Sequence, residues 1–209
     1  MARAPVVSER PEGLVYVPDF VTVEEEARLV TAVEHLEYSE VRMKGQVAKR
    51  TVRHYGVRYD YEAWTVVRTD PLPEEFEWLR ARAADVAGLE ASDFAEALVT
   101  RYPPGAGIGY HRDAARFGPT VVGVSLLSPC PMRFQRKVGE VRHVYVLDLE
   151  PRSAYVLAGK SRSIWQHGII STKGLRYSFT FRTLAARFRP PADRADIQTW
   201  GTGTWSGRA

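Results

Sequence analysis

The sequence predicts an α+β fold that is mainly β: a double-stranded β-helix, or jelly-roll, buttressed by N-terminal helices. Three observations lead there. Seven short β-favouring runs, separated by Pro, Gly or charged turns, fill the chain from Ala97 to Leu184. Two stretches of helical period precede them. With 209 residues, 44% of them hydrophobic and 26% charged, the chain is large enough for one sizeable core and unlike a disordered polymer.

Taken in order, residues 1–13 carry Pro5, Pro11 and Gly13 among charged residues, and a flexible leader is expected. Leu14-Val15-Tyr16-Val17 reads as a short strand. Thr22 with Glu25 three residues on is a capping box, opening a helix to about Leu36 with Ala27, Val30, Val33 and Leu36 on one apolar stripe. From Glu40 to Val67 the chain is rich in Arg, Tyr and β-branched residues without helical period, which predicts strands and loops. After Pro71 and Pro73, helical spacing returns from Glu74 through Phe76, Leu79, Ala83 and Val86, and Gly88 stops it. The predicted strands that follow are 97–102, 120–127, 131–135, 141–147, 153–157, 165–170 and 177–184. The tail from Arg187 is Pro-, Gly- and Thr-rich and is expected to be loose. One domain over residues 14–186 is therefore expected, between leader and tail, with no internal repeat.

Composition narrows the function classes. No stretch approaches the roughly 20 apolar residues that cross a bilayer, and the N-terminus lacks the apolar core of a signal peptide. A soluble, cytoplasmic monomer without a membrane partner is the expectation. Cys130 is the single cysteine, which excludes an internal disulfide and an intrachain thiolate zinc site, and a small buried hydrophobe is its simplest role. The balance of 29 basic to 25 acidic residues is compatible with a polyanionic partner without requiring one.

The chemistry concentrates in one ordered pattern. His111 and Asp113 are two apart, so on an extended segment both point to one face, about 7 Å apart along the chain. His167, at the end of a β-like run, is placed to complete a triad from a facing strand. Two imidazoles and one carboxylate leave three positions open on an octahedral ion, enough for a bidentate 2-oxo acid and O2, whereas zinc more usually has a closed tetrahedral set. HxD alone is common by chance. What adds weight is Arg176, Ser178, Thr180 and Arg182, which alternate with Tyr177, Phe179 and Phe181 and so project a row of donors from one strand face. Arginine binds carboxylates bidentately, so such a row beside a metal suits a dicarboxylic acid; a half-exposed strand with its arginines in solvent is the plain alternative.

The set RYPPGAGIGYHRD, the HG at 167–168 and RYSFTFR resembles the AlkB family of Fe(II)/2-oxoglutarate-dependent dioxygenases, from about Leu14 to Leu184. The resemblance implies that His111, Asp113 and His167 bind iron and form the catalytic centre. It further implies that Arg176 grips the distal carboxylate of 2-oxoglutarate, that Arg182 lies beside its iron-bound end, and that Tyr102 also contacts it. Ser178 and Thr180 share that cosubstrate-facing row. A family asparagine two residues before the tyrosine is Thr100 here. The implied reaction consumes O2, converts 2-oxoglutarate to succinate and CO2, and hydroxylates a substrate C–H bond; on an N-methyl group it releases formaldehyde. Repair members carry a second carboxylate just past the HxD, where this chain has Ala114 and Ala115. Residues 40–67 occupy the place of the family's nucleotide-recognition lid, and RTVRHYG with the later YEAW is similar to the branch that hydroxylates the modified wobble uridine of tRNA. Arg53, Tyr55, Tyr59 and Trp165 are then the candidate substrate contacts, with alkylated or modified bases of DNA or RNA as the substrate class. A protein or small-molecule substrate, and a non-catalytic nucleic-acid-binding module, are the alternatives. His35, His54 and His143 are expected to be non-ligands.

Overall fold

The computed structural model describes residues 6–43, 45–60 and 65–188. The expected tail beyond Phe188, the first five residues of the leader, and Tyr61 and Trp64 of the lid lie outside the described residues.

Along the chain run β1 (Val6–Val7), β2 (Leu14–Val17), α1 (Val23–Glu34), β3 (Ser39–Met43), β4 (Gln46–Asp60) and β5 (Thr65–Arg68). A 3-10 turn, Glu74–Phe76, leads into α2 (Glu77–Ala87). Then come β6 (Phe94–Tyr102), β7 (Ile108–His111), β8 (Phe117–Leu127), β9 (Cys130–Val138), β10 (Val141–Leu149), β11 (Ala154–Leu157), α3 (Gly159–Ser163), β12 (Gln166–Ile169) and β13 (Arg176–Leu184). Two sheets result. The larger runs β2-β11-β8-β13-β6-β4-β3, with β5 on the far part of β4; the smaller runs β1-β10-β9-β12-β7. This is the predicted jelly-roll with its helices laid on one sheet.

The helices form where local chemistry directs them. Thr22 accepts from the Glu25 amide at 3.1 Å while Glu25 accepts from the Thr22 amide at 2.9 Å, which closes the capping box. Gly88 ends α2 in the left-handed conformation, at φ 64°. Both helices pack an apolar face, Leu29 and Val33 from α1 and Leu79, Ala83 and Ala84 from α2, against Val99, Val122, Val124, Tyr177, Phe179 and Phe181 on the outer face of the larger sheet. Of the expected α1 stripe Val30 and Leu36 are half-buried and Ala27 is exposed, Leu29 taking its place. A second cluster fills the space between the sheets, joining Tyr102, Val121 and Tyr155 to Met132, Phe134, Leu149 and Ile169.

β13 lies between these two cores. Its Tyr177, Phe179 and Phe181 pack under the helices, and its alternate row, from Arg176 to Arg182, faces the jelly-roll interior. The predicted two-faced strand is therefore buried on both sides, and neither face is a solvent face.

Three departures have physical causes. β7 and α3 were not anticipated, because Gly105, Gly107 and Gly109 hide the strand pattern and α3 is too short for a helical period. Residues 6–8 of the expected leader are ordered: β1 adds in parallel to the outer edge of β10, and Ser8 hydrogen-bonds to His143 Nδ1 at 3.0 Å. An open sheet edge offers unpaired backbone groups that even a two-residue strand satisfies through its own backbone. Finally, β4 changes partner at Gly56, pairing with β6 before it and β5 after it. Gly56 has φ +77°, and a Cβ there would lie 2.2 Å from the Ala95 carbonyl oxygen, so glycine is required for the bend.

Phe179 is fully buried, edge-on to Phe76 at 5.0 Å and stacked near Phe181. Phe179→Ala is expected to cost about 3–5 kcal/mol, read as a lower urea midpoint at unchanged slope.

Candidate metal and cosubstrate site

His111 closes β7 directly opposite His167 on the neighbouring antiparallel strand β12, with ring centroids 4.4 Å apart. His167 thus comes from the adjacent strand of the same sheet, where the sequence suggested a facing one. Its follower, Gly168, explains the HG pair: a Cβ there would sit 2.8 Å from the Ile108 carbonyl oxygen, so glycine lets the two histidine strands close up. Asp113 is past the end of β7, where the chain turns through a Phe117 amide to Ala114 carbonyl bond of 3.0 Å. The expectation of one extended His-x-Asp arm is corrected accordingly. One ligand atom each from His111, Asp113 and His167 lie within 4.8 Å of one another.

Neighbouring groups fix which atoms face the ion. The His111 Nδ1 lies 3.0 Å from the Gly109 carbonyl oxygen, which only accepts, so this nitrogen carries the proton and Nε2 is left for a metal. Arg182 Nε donates to Asp113 Oδ1 at 2.8 Å. The other carboxylate oxygen, Oδ2, is buried, unpartnered, and 3.7 Å from His167 Nε2. A buried carboxylate oxygen with no donor is costly, and a divalent cation between it and two imidazoles supplies what is missing. On this donor set the residues fit Fe(II).

Electrostatics favours the ligand forms. Burial alone would raise the Asp113 carboxyl, but Arg182, His167, Arg162 and His111 together hold it well below the usual carboxylate range. Burial pushes the His167 imidazole down to about 3 and lowers His111 as well, against the pull of Asp113 on both. At neutral pH two neutral imidazoles and one carboxylate stand ready without proton loss.

The cosubstrate row begins at Arg176, 1% exposed. Its Nε and Nη2 donate to Ser125 Oγ at 3.2 and 2.6 Å, the Tyr102 ring lies 5.0 Å below the guanidinium, and Nη1 is buried without a partner. A buried guanidinium with a spare donor and no ion pair among the described residues calls for an anion, which the distal carboxylate of 2-oxoglutarate provides. Ser178 and Thr180, both buried, continue the face, with Ser178 between Thr100 and Ser125. Arg182 ends it beside the metal ligands, where Nε and Nη1 are taken up by Asp113 and by Glu96 Oε2, the latter at 2.6 Å.

Several contributors were not read from the sequence. Glu96 is 1% exposed and bridges Arg182 to His54 Nδ1, 2.8 Å away, so His54 is indeed no ligand. A lone acid inside the apolar run FAEALV was the available signal. Arg162 on α3 donates to the carbonyls of Asp113, Ala114 and Phe117 at 3.3–3.4 Å and so pins the metal loop. Tyr155 fills the interior across Gly123, where a Cβ would meet its ring at 2.2 Å.

The four candidate substrate contacts divide. Tyr55 and Trp165 are both 3% exposed, in the helix-side and inter-sheet cores respectively, so neither presents a ring to a substrate. Arg53 is ion-paired to Asp70 and lies over the Tyr55 ring. Tyr59 is half-buried under the guanidinium of Arg116, the residue after Ala115, and so flanks the metal loop. Period-2 alternation along β4 turned Tyr55 inward, which composition alone could not tell.

Comparison with known proteins agrees with this geometry. Residues 13–182 match the 2OG-Fe(II) oxygenase superfamily. The tRNA (carboxymethyluridine(34)-5-O)-methyltransferase alkbh8 of Xenopus tropicalis is 32% identical over 78% of this chain, and the alignment covers 26% of that protein. The Alkylated DNA repair protein ALKBH8 homolog of Arabidopsis thaliana is 30% identical over 81% of this chain and 58% of its own. The chain thus spans about a quarter of the first relative's length and over half of the second's. Among solved structures, OsALKBH1 superposes with TM-score 0.66 at 17% identity, covering 86% of this chain and all of that one. A 2OG-Fe(II) oxygenase family oxidoreductase from Burkholderia pseudomallei superposes with TM-score 0.57 at 16% identity, over 87% and 96% of the two chains.

His111→Ala and Asp113→Ala are each expected to abolish Fe(II)-dependent 2-oxoglutarate turnover with an unchanged circular dichroism spectrum; retained turnover in either would displace the site. Glu96→Gln leaves the Arg182 charge to act on Asp113 alone, and anaerobic Co(II) titration should show metal affinity about 10–100-fold weaker. Without metal, the unfolded histidines take up protons near pH 6.5 while folded His167 resists to about 3. Apoprotein stability should therefore fall as pH drops below about 6.5, and less steeply in His167→Gln, by urea titration across that range.

Proposed function

The chain belongs to the 2OG-Fe(II) oxygenase superfamily as an AlkB-type dioxygenase using Fe(II), 2-oxoglutarate and O2, and on that premise we propose that its substrate is a modified, uncharged base in RNA. The observation that carries the oxygenase chemistry is the buried, unpartnered Oδ2 of Asp113 between two neutral imidazoles, with the spare Nη1 of Arg176 in the same interior. His111, Asp113 and His167 would hold the iron, which would supply the coupling of O2 reduction and decarboxylation of 2-oxoglutarate, to succinate and CO2, with hydroxylation of a substrate C–H bond.

The chain's own residues bind, orient and exclude. Arg176 and Ser125 fix the distal carboxylate end, Tyr102 walls it, and the buried row through Ser178 and Thr180 keeps water from the cosubstrate's length. Arg182 holds Asp113 by one oxygen so that the other stays directed to the metal.

The substrate class rests on three supports. Ala114 and Ala115 offer no carboxylate to a cationic base, which favours a neutral one. Tyr59 with Arg116 brings a ring and a cation beside the metal loop, the groups that stack an extruded base. Relatives carry tRNA uridine and alkylated-DNA names. Methyl transfer is not part of the proposal, since this site is built for a metal and a dicarboxylate.

The test is anaerobic addition of Fe(II) and 2-oxoglutarate, watched for a weak visible charge-transfer band, followed by air and mass spectrometry of oligomers bearing modified uridine, 1-methyladenine or 3-methylcytosine. Oxidation of the uridine oligomer is the expected outcome. Oxidation of the cationic bases alone would reverse the base assignment, and a band without any oligomer product would move the substrate to a protein or small molecule. Ala115→Asp should raise turnover of 1-methyladenine relative to uridine, measured by competition of the two oligomers.

A further inference from the structure

Beside the metal strands lies a groove that the chemistry above leaves unused. β4 pairs with β6 only from Thr51 onward, so residues 46–50 extend beyond the larger sheet, paired with β3 alone. This overhang faces β7, the outer strand of the smaller sheet. Between them is a cavity of about 290 Å³, with Lys49 on the hairpin side and Arg133 on the β9 side. Among the described residues no carboxylate lines it. Much of the remaining wall is backbone, at Gly105, Gly107, Gly109 and Gly168.

Lys49 and Arg133 line the groove with no ion pair or side-chain hydrogen bond among the described residues, so no carboxylate there neutralises them. Two unpaired cations facing one concave, acid-free space bind an anion more strongly than the same charges on an open surface, because the low-dielectric walls focus the field. At Gly109 an added Cβ would meet nothing within 4 Å, so the strand backbone is open to close approach by a bulky ligand.

Position identifies the anion. Gly109 precedes His111 by two residues, about 7 Å along the edge strand β7, while Arg133 and Gly168, which alternate with the inward Phe134 and His167, lie on the outer face of the same sheet. Tyr110, 40% exposed, stands on the rim. We propose that this groove is a phosphodiester subsite, in which Lys49 and Arg133 hold the backbone phosphate of the nucleotide adjoining the one whose base enters the metal pocket. The assignment rests on the nucleic-acid reading of the substrate. It adds where the strand crosses the protein: under the β3–β4 hairpin and along the free edge of β7.

The experiment is fluorescence anisotropy of the full chain with single-stranded RNA and DNA of one sequence, about ten nucleotides long, across about 50–200 mM salt. In the double variant Lys49→Ala/Arg133→Ala, the slope of log affinity against log salt should become shallower by about 0.7, that is, one neutralised phosphate. Substrate-free 2-oxoglutarate turnover should not change, and Arg28→Ala, on the distant helix α1, should keep the wild-type slope. A wild-type slope in the double variant overturns the subsite and leaves the nucleic-acid reading in place. Absence of salt-dependent binding by the wild-type chain to both strands overturns the nucleic-acid reading and the subsite together.

Discussion

Arg182 stands between two buried carboxylates, and the site depends on that arrangement. One guanidinium donates to Asp113 from β7's end and to Glu96 on β6, and each carboxylate is about as buried as a core residue. Removing either acid would leave the cation unevenly held, and removing the cation would leave two negative groups buried near each other. Burial is tolerable because the Arg182 guanidinium lies between the two carboxylates, while the His54 ring hydrogen-bonds Glu96 and the two metal-facing imidazoles stand beside Asp113. The chain of contacts joins the larger sheet to the smaller one at the point where the metal has to be held.

Strand β13 is the framework for this. Its odd and even positions serve different cores: aromatic rings wedge under α1 and α2, and polar side chains line the inter-sheet space. The apolar side contributes the free energy that keeps the polar side buried, since each large ring removed from water is worth about 1.5–3 kcal/mol. Arg176 and Arg182 sit six residues apart on one strand, so the distance between the two buried guanidiniums is set by backbone geometry instead of flexible loops.

Glycines set the remaining tolerances. Gly168 lets the histidine strands close, Gly123 makes room for the Tyr155 ring, and Gly56 bends β4 so that its first half stays with β6 while its second half carries Tyr59 toward the metal loop. Arg162 then ties the loop after β7 through three carbonyls, which is how Asp113 reaches the ion from outside a strand.

Much of this was legible in the sequence: the jelly-roll class, most of its strands, both N-terminal helices with the cap at Thr22 and the stop at Gly88, the three residues that come together as a candidate metal group, and the donor row of β13. These are written locally, in period-2 and period-3.6 patterns, capping pairs and residue types that chemistry permits only a few uses for. Only the tertiary structure decided which strand supplies His167, that Glu96 and Arg162 belong to the site, and that Tyr55 and Trp165 face cores while Tyr59 flanks the metal loop. Those outcomes turn on register and on which face of a strand meets another sheet, and both are fixed by contacts between residues far apart in the chain.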